Sequence, residues 1–555
     1  MVKPFLLVIF LALSGCESDT GMSSSADPVN ESSLTDGNAE GHVEGHVEGH
    51  VDASIKWFAG TIEEAFNMAD SDAKPLFLYW GAVWCPPCQE IKHTVFKSQE
   101  FIRLTRLFVP VYLDGDTDEA QVWGEKFGVM GYPTMIVFNP RGEEITRIPG
   151  GIDISRYNTV LEVSLNQMRS TANLVQVALE DATRLSPDEF YQLAYYSWFQ
   201  DATAVPENTD KAELFLRLST SAPEGELSNR FYMNYLLTLT ENNEAQASGK
   251  DSLDADPTIA DPAIVDPVVA ARLETILSSR SLTLASWDSL AYYMEEVLAL
   301  PVINDARKVS LAGLWAKSIF DLRFDESLSK AEKMAGWLPK LQLATRDDQP
   351  LPEDLRRLLR AELQTVDETT PDSFERQSVI NQMSYIYREA GLVNDAKDLL
   401  LAELEKSASP YYFMSSLGSL AEKAGNVDEA LVWRKRAYET SVGEATRFQW
   451  GTSYVLAMIR MAPANHEVIE ARASALLSEF HDSGELFAGR NFRTLKRLNQ
   501  NLRSWQKEQE RKALAFESEV EKLCSDQKEE SLQQQNCQSL FVEDLLTEAK
   551  MALAS

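Results

Sequence analysis

Five residues constrain this chain more than any others. Trp84-Cys85-Pro86-Pro87-Cys88 follows the apolar run Pro75-Leu76-Phe77-Leu78-Tyr79-Trp80 and precedes a stretch with helical spacing to about Lys97. A short, continuously apolar run fits a strand buried on both faces. A cysteine just before a helix lies where the helix N-terminus favours negative charge, so its thiolate is stabilised. The neighbouring residues extend the pattern. Ile62, Ala65, Phe66 and Ala69 recur with a helical period within Thr61 to Asp70. Phe108 to Leu113 and Met135 to Phe138 read as further strands, and Asn139-Pro140-Arg141-Gly142 is a turn that leads to a hairpin partner at Glu144 to Ile148. The predicted order is strand, helix, strand, helix, hairpin, helix. The same two cysteines would also serve as an inert disulfide or half of a metal site. A four-ligand zinc site needs two more ligands, and only His93 is near in sequence.

This order, with a CxxC between strand and helix, resembles the thioredoxin superfamily. The phrase KPLFLYWGAVWCPPCQEIKHTVF is similar to the thioredoxin-like C-terminal domain of the membrane reductant carrier DsbD and its relatives. The resemblance covers about a fifth of the chain and implies an α/β thioredoxin-like domain over residues 53–169. It implies roles as well. Cys85 is the attacking thiolate, Cys88 the resolving thiol, and Trp84 covers one side of the pair. Pro133, within Gly131-Tyr132-Pro133-Thr134, is a cis-proline facing the cysteines. The backbone at Tyr132 pairs with an extended substrate. The redox group is then the Cys85–Cys88 disulfide itself, and no separate cofactor is expected. Pro86 and Pro87 lack an N–H, which removes two donors to the thiolate and argues against an extreme oxidant. Two positions depart from the family. Thioredoxins carry a buried Asp six residues before the first cysteine, where this chain has Tyr79. The DsbD domain has an acid four residues after the second cysteine, where this chain has Lys92. Either Glu90 substitutes for the missing acid, or Tyr79 tunes the site differently.

Residues 1–16, MVKPFLLVIFLALSGC, have the layout of a secretory signal. The ending Leu13-Ser14-Gly15-Cys16 resembles the lipobox of bacterial lipoproteins. That implies a lipid-modified Cys16 that holds the chain on a membrane surface. Glu17 leans toward the outer over the inner membrane. An ordinary cleaved signal is the alternative. Residues 17–52 are polar, lack aromatics and read as a disordered tether. Within them GHVEGHVEGHV spaces His42, His46 and His50 four apart. These could bind a transition metal, but a glycine in every repeat opposes the helix that would align them, so no metal is expected. Acidic residues number 85 against 52 basic ones, a formal charge of −33, which excludes a phosphate-binding face as the main function. Export places the cysteines in an oxidising compartment.

From residue 170 to 555 apolar residues recur every three to four positions, which predicts a large all-α region. An acidic, proline-containing stretch at 242–267 reads as an insert. Arg388-Glu389-Ala390-Gly391-Leu392-Val393-Asn394-Asp395-Ala396 recurs as Glu422-Lys423-Ala424-Gly425-Asn426-Val427-Asp428-Glu429-Ala430, and the 34-residue offset is the tetratricopeptide period. Tyr387, Ala396 and Leu400 in one copy, and Leu417, Gly418, Ala430 and Ala437 in the other, match large and small consensus positions. The region therefore resembles a divergent tetratricopeptide-like array. At the end, helices are predicted at 504–523 and 539–552, stapled as a hairpin by a Cys524–Cys537 disulfide. A sharper alternative has this pair exchange electrons with Cys85–Cys88.

These features predict a lipid-anchored periplasmic thiol–disulfide oxidoreductase that exchanges disulfides with client proteins. Reduction is the favoured direction and needs a membrane electron donor, because no soluble thiol buffer maintains the bacterial periplasm. The rival is a non-catalytic envelope scaffold whose helical array binds proteins.

Overall fold

The computed structural model describes residues 54–166, 168–201, 203–207, 209–247, 262–480, 483–511, 515–528 and 531–541. The signal, Cys16, the tether and His42, His46 and His50 lie outside the described residues. Among the described residues, no helix is long and apolar enough to cross a membrane.

Four strands form one mixed sheet in the order β2-β1-β3-β4. β1 is Leu76–Gly81, β2 Val109–Asp114, β3 Thr134–Phe138 and β4 Glu144–Ile148. β1 runs parallel to β2 and antiparallel to β3, and β4 returns antiparallel to β3. Every residue of β1 is buried because both of its faces are covered. Leu76, Leu78 and Trp80 pack on one side with Ile62, Ala65 and Ala69 of helix α1 (Ile62–Asp72). Phe77 and Tyr79 pack on the other with Phe101 of α3 (Gln99–Thr105), the helix that follows α2 (Pro86–His93). Helix α1 starts at Thr61 because Thr61 and Glu64 form a reciprocal capping box. The stretch predicted to run as one helix to Lys97 divides instead. Thr94 leaves helical backbone, a short 3-10 turn follows at Val95–Lys97, and Ser98 caps α3. Two more helices, α4 (Asp118–Lys126) and α5 (Ile154–Asn166), complete the unit.

Among the described residues, the helical elements of the remainder run from Thr171 to Ser539. The apolar core does not stop at residue 169. Ile145 and Ile148 of β4 share one cluster with Leu174, Val175, Phe190, Trp198 and Phe215. Helices Glu226–Ala247 and Pro262–Ser278 take both ends of the stretch expected to be an insert. The two sequence copies have matching geometry. Gly391 (φ 71°) ends helix Glu375–Glu389 and Gly425 (φ 78°) ends helix Pro410–Lys423, each in the left-handed conformation that glycine enters without a Cβ penalty. Leu392 N–H then reaches Tyr387 O, and Asn426 N–H reaches Ala421 O, the same closing bond in both. Ala396 and Ala430 are fully buried where the second helix of each pair approaches the first. Of the helices expected at 504–523 and 539–552, the second lies mostly outside the described residues. Gly489–Glu508 is one helix, the chain turns at Glu510 (φ 51°), and Ala515–Ser525 and Leu532–Ser539 follow. The polar segment between Cys524 and Cys537 is thus partly helical.

Candidate functional site

Cys85 is the N-cap of α2, with Pro86 in the first helical position, where a fixed φ suits the helix and no N–H is needed. Its Sγ accepts the Cys88 N–H at 3.3 Å, the first amide after two prolines. The structure joins Cys85 to Cys88 in a disulfide with Cα atoms 5.2 Å apart. Gln89 Nε2 donates to Val83 O at 2.6 Å and ties the loop before the cysteines to the helix after them. The Tyr132–Pro133 peptide is cis, and Pro133 is buried at the start of β3.

Residues 290 or more positions away close over this pair. Cys85 is 3% exposed and Cys88 0%. Trp84 Nε1 donates to Thr446 Oγ1 at 2.7 Å, and Thr446 donates in turn to Asp116 Oδ1 at 2.5 Å. Gln377 Nε2 donates to Trp84 O at 3.2 Å. The Trp84 ring stacks on Tyr412 and meets Trp450 edge-on, both at 6.2 Å. Arg490 pairs with Asp116 at 2.6 Å and holds its guanidinium 5.5 Å from the Trp84 ring centre and 5.3 Å from that of Tyr132. Below Arg490, the helix Gly489–Glu508 begins against α4. Gln121 Oε1 accepts from Arg490 N and Asn491 N, and Glu125 Oε2 accepts from Gly489 N. Side chains of the sheet domain thus satisfy the orphan amides of a helix in the other region.

The two positions that depart from the family, and Glu90, have distinct surroundings. Tyr79 is buried on β1, stacked on Tyr112 at 5.5 Å, and its hydroxyl has no hydrogen-bond partner. Burial raises its pKa well above the ordinary phenol value. Lys92 lies 5.0 Å from the Tyr112 ring centre, and burial lowers its pKa. Glu90, on α2 two residues beyond Cys88, accepts a hydrogen bond from Ser329 Oγ. Ser329 N donates to Glu332 Oε2 at 2.7 Å, so one serine bridges two carboxyl groups from opposite sides of the interface. Burial, then the charge of Glu90, pushes Glu332 up to about 8. Burial raises Glu90 too, against the Ser329 hydrogen bond.

A second disulfide joins Cys524 on helix Ala515–Ser525 to Cys537 on helix Leu532–Ser539. Among the described residues one carboxylate group, Asp118, Glu444 and Glu485, has the spacing to hold a metal. It has no histidine or cysteine, and Asp118 is exposed. Sequence reasoning missed Thr446, Arg490, Gln377, Tyr412, Trp450 and Glu332. Each is an ordinary helix residue in its own stretch, and only the approach of the two regions makes it part of the site.

Comparison with known proteins agrees with this geometry. A family profile described as a thioredoxin-like domain matches residues 62–164. DsbD, the thiol:disulfide interchange protein of Yersinia pestis, is 29% identical over 94 residues in strain Pestoides F and in the Antiqua and Nepal516 strains of biovar Antiqua. The match covers 16% of this chain and 16% of each relative's length. Residues 62–164 therefore form a thioredoxin-like domain that carries a Cys85–Cys88 disulfide, and a large all-helical region follows it.

Proposed function

We propose that this chain is a thiol–disulfide oxidoreductase of the bacterial cell envelope that reduces disulfides in client proteins. The observation that carries the reading is the Cys85–Cys88 pair at the N-terminus of α2, in a thioredoxin-like domain with a cis-proline at 133. In the reduced chain the Cys85 thiolate is stabilised by the Cys88 N–H and the helix dipole. It attacks one sulfur of a client disulfide, forms a Cys85–client disulfide, and expels the other client sulfur as a thiolate. The Cys88 thiolate then attacks Cys85 Sγ, releases the first client sulfur, and leaves Cys85–Cys88 oxidised. Two electrons pass to the client, and a membrane dithiol donor restores the pair. The likeness to DsbD supports this direction and an envelope setting. The lipobox-like ending at Cys16 supports a lipid anchor, with Glu17 favouring the outer membrane.

Trapping tests the reading. Cys88→Ala, expressed in the native envelope, should accumulate mixed disulfides on Cys85, identified by mass spectrometry. A folded chain with Cys85 open to alkylation and nothing trapped would overturn the proposal. The burial of Cys85 favours a second reading, in which the domain is a fixed part of an envelope scaffold. In that case Cys85→Ala leaves the cellular phenotype intact, while loss of residues 170–555 abolishes it.

A further inference from the structure

A cleft of about 250 Å³ lies between the thioredoxin-like domain and the helical region. One wall is the redox site's own surroundings: Pro86, Pro87, Glu90 and the Tyr132–Pro133 pair. The opposite wall comes from helices of the second region and includes Trp287 and Gln382. These two side chains are 2% and 8% exposed, and neither Trp287 Nε1 nor Gln382 Nε2 has a hydrogen-bond partner. A buried donor without an acceptor loses its hydration with nothing in return, so two of them on one wall of a cleft require an explanation. Gln200 Oε1, in the same lining, also lacks a partner, whereas the cationic group there is engaged. Arg230 is held bidentately by Asp288 at 3.0 and 2.7 Å and also donates to Ala194 O and Ala285 O.

We infer that this cleft is a peptide subsite, in which Trp287 and Gln382 donate to backbone carbonyls of an extended, unfolded client segment whose cysteine lies at Cys85. The inference rests on the thiol–disulfide reading of the site and supplies its substrate class. Three observations select the occupant. The volume lies just below the range of ordinary ligand pockets, about 300–1,000 Å³, so it admits a strand of a few residues and no folded surface. Trp84, Tyr412, Trp450 and Arg490 close the face beside the cysteines, which a folded client would need. The donors call for acceptor oxygens, while Glu90 and Glu332 stand in the same cleft. Neutral amide carbonyls satisfy the donors without bringing a further buried carboxylate beside Glu90 and Glu332, whose own ionisation burial already opposes. A neutral or basic segment therefore fits and an acidic one does not.

The test uses the oxidised full chain and a labelled neutral octapeptide with serine in place of cysteine, followed by fluorescence anisotropy. Saturable binding is expected. Trp287→Phe removes the N–H together with the five-membered ring, and Gln382→Leu removes both polar atoms of the amide. Each should weaken binding about three- to tenfold, the factor for one net hydrogen bond. Replacing two peptide residues by Asp should weaken it as well. Equal affinity for wild type and both variants overturns the subsite. Should the variants fail to fold, a photo-crosslinking version of the peptide on the wild-type chain decides. Labels on the Ser378–Gln382 segment support the subsite, and labels confined elsewhere overturn it. The peptide carries no thiol, so its binding is independent of exchange chemistry. Binding with no turnover of a disulfide-containing peptide would keep the subsite and overturn the reductase reading. Reduction of a folded, disulfide-bonded domain as fast as of the peptide would overturn the claim that only unfolded segments enter.

Discussion

Arg490 is the residue whose loss should best report how the cysteines are covered. It pairs with Asp116, donates to Gly115 O at 3.2 Å, and lies over both Trp84 and Tyr132. The side chains of the pair are 11% and 19% exposed, so the interaction is mostly shielded from water. Arg490→Met keeps much of the aliphatic bulk and leaves Asp116 with Thr446 as its remaining side-chain donor at this contact. Breaking one half of a buried pair costs about 3–5 kcal/mol, and residual exposure argues for the lower end. If all of about 3 kcal/mol falls on the closed arrangement, the open population rises roughly 150-fold, at 1.36 kcal/mol per decade. The assay is the rate at which iodoacetamide alkylates Cys85 in the reduced chain, read by mass spectrometry. A rise of tenfold or more, with cooperative melting retained, is expected. A rate within threefold of wild type would refute the idea that this contact closes the site.

Three further outcomes follow from other contacts. Glu332 is a carboxyl whose folded pKa is raised from 4.5 to about 8, by burial first and then by Glu90, with Asp153 adding to it. The folded state binds the extra proton, so its contribution is full below about 4.5 and is lost as pH rises toward 8. Melting temperature should fall across that window, and Glu332→Gln should flatten the fall; an unchanged slope would refute the assignment. Tyr79→Phe removes a buried hydroxyl with no partner, so stability should stay level or rise by up to about 1 kcal/mol. A slower exchange rate at unchanged melting temperature would instead place Tyr79 on the proton path. Gly489 has φ 51°, and a Cβ there would lie 2.5 Å from Gln121 O, on backbone that cannot swing away. Gly489→Ala should cost about 2 kcal/mol or more from the left-handed backbone and the clash together. An unchanged denaturation midpoint would show that α4 and the helix Gly489–Glu508 separate freely.

Much of the thioredoxin-like domain was legible because its signals are local. An apolar run buried on both faces needs no distant partner to be read as a strand. A CxxC preceded by such a run narrows the fold further. The helical character of residues beyond 170 was legible for the same reason, through periodicity. Boundaries were less so. The break at Thr94 depends on a single residue's backbone, and the helix Leu532–Ser539 is polar enough to pass for a loop. The core also runs across residue 169, where composition changes but packing does not.

By itself, then, the sequence determined the features on which the proposed chemistry rests: two cysteines at a helix start and a proline after Tyr132. It also determined that helices follow. The tertiary structure alone decided what those helices do to the site. It set Thr446 and Arg490 against Trp84, Ser329 and Glu332 against Glu90, and Trp287 and Gln382 across the cleft from the Tyr132–Pro133 pair. The physical reason is range. Capping, turn chemistry and hydrophobic period act within a few residues, so a single chain displays them directly. Burial of a thiol, coupling of two carboxyl groups and the shape of a cleft depend on atoms brought together from positions hundreds of residues apart. Only packing specifies those neighbours.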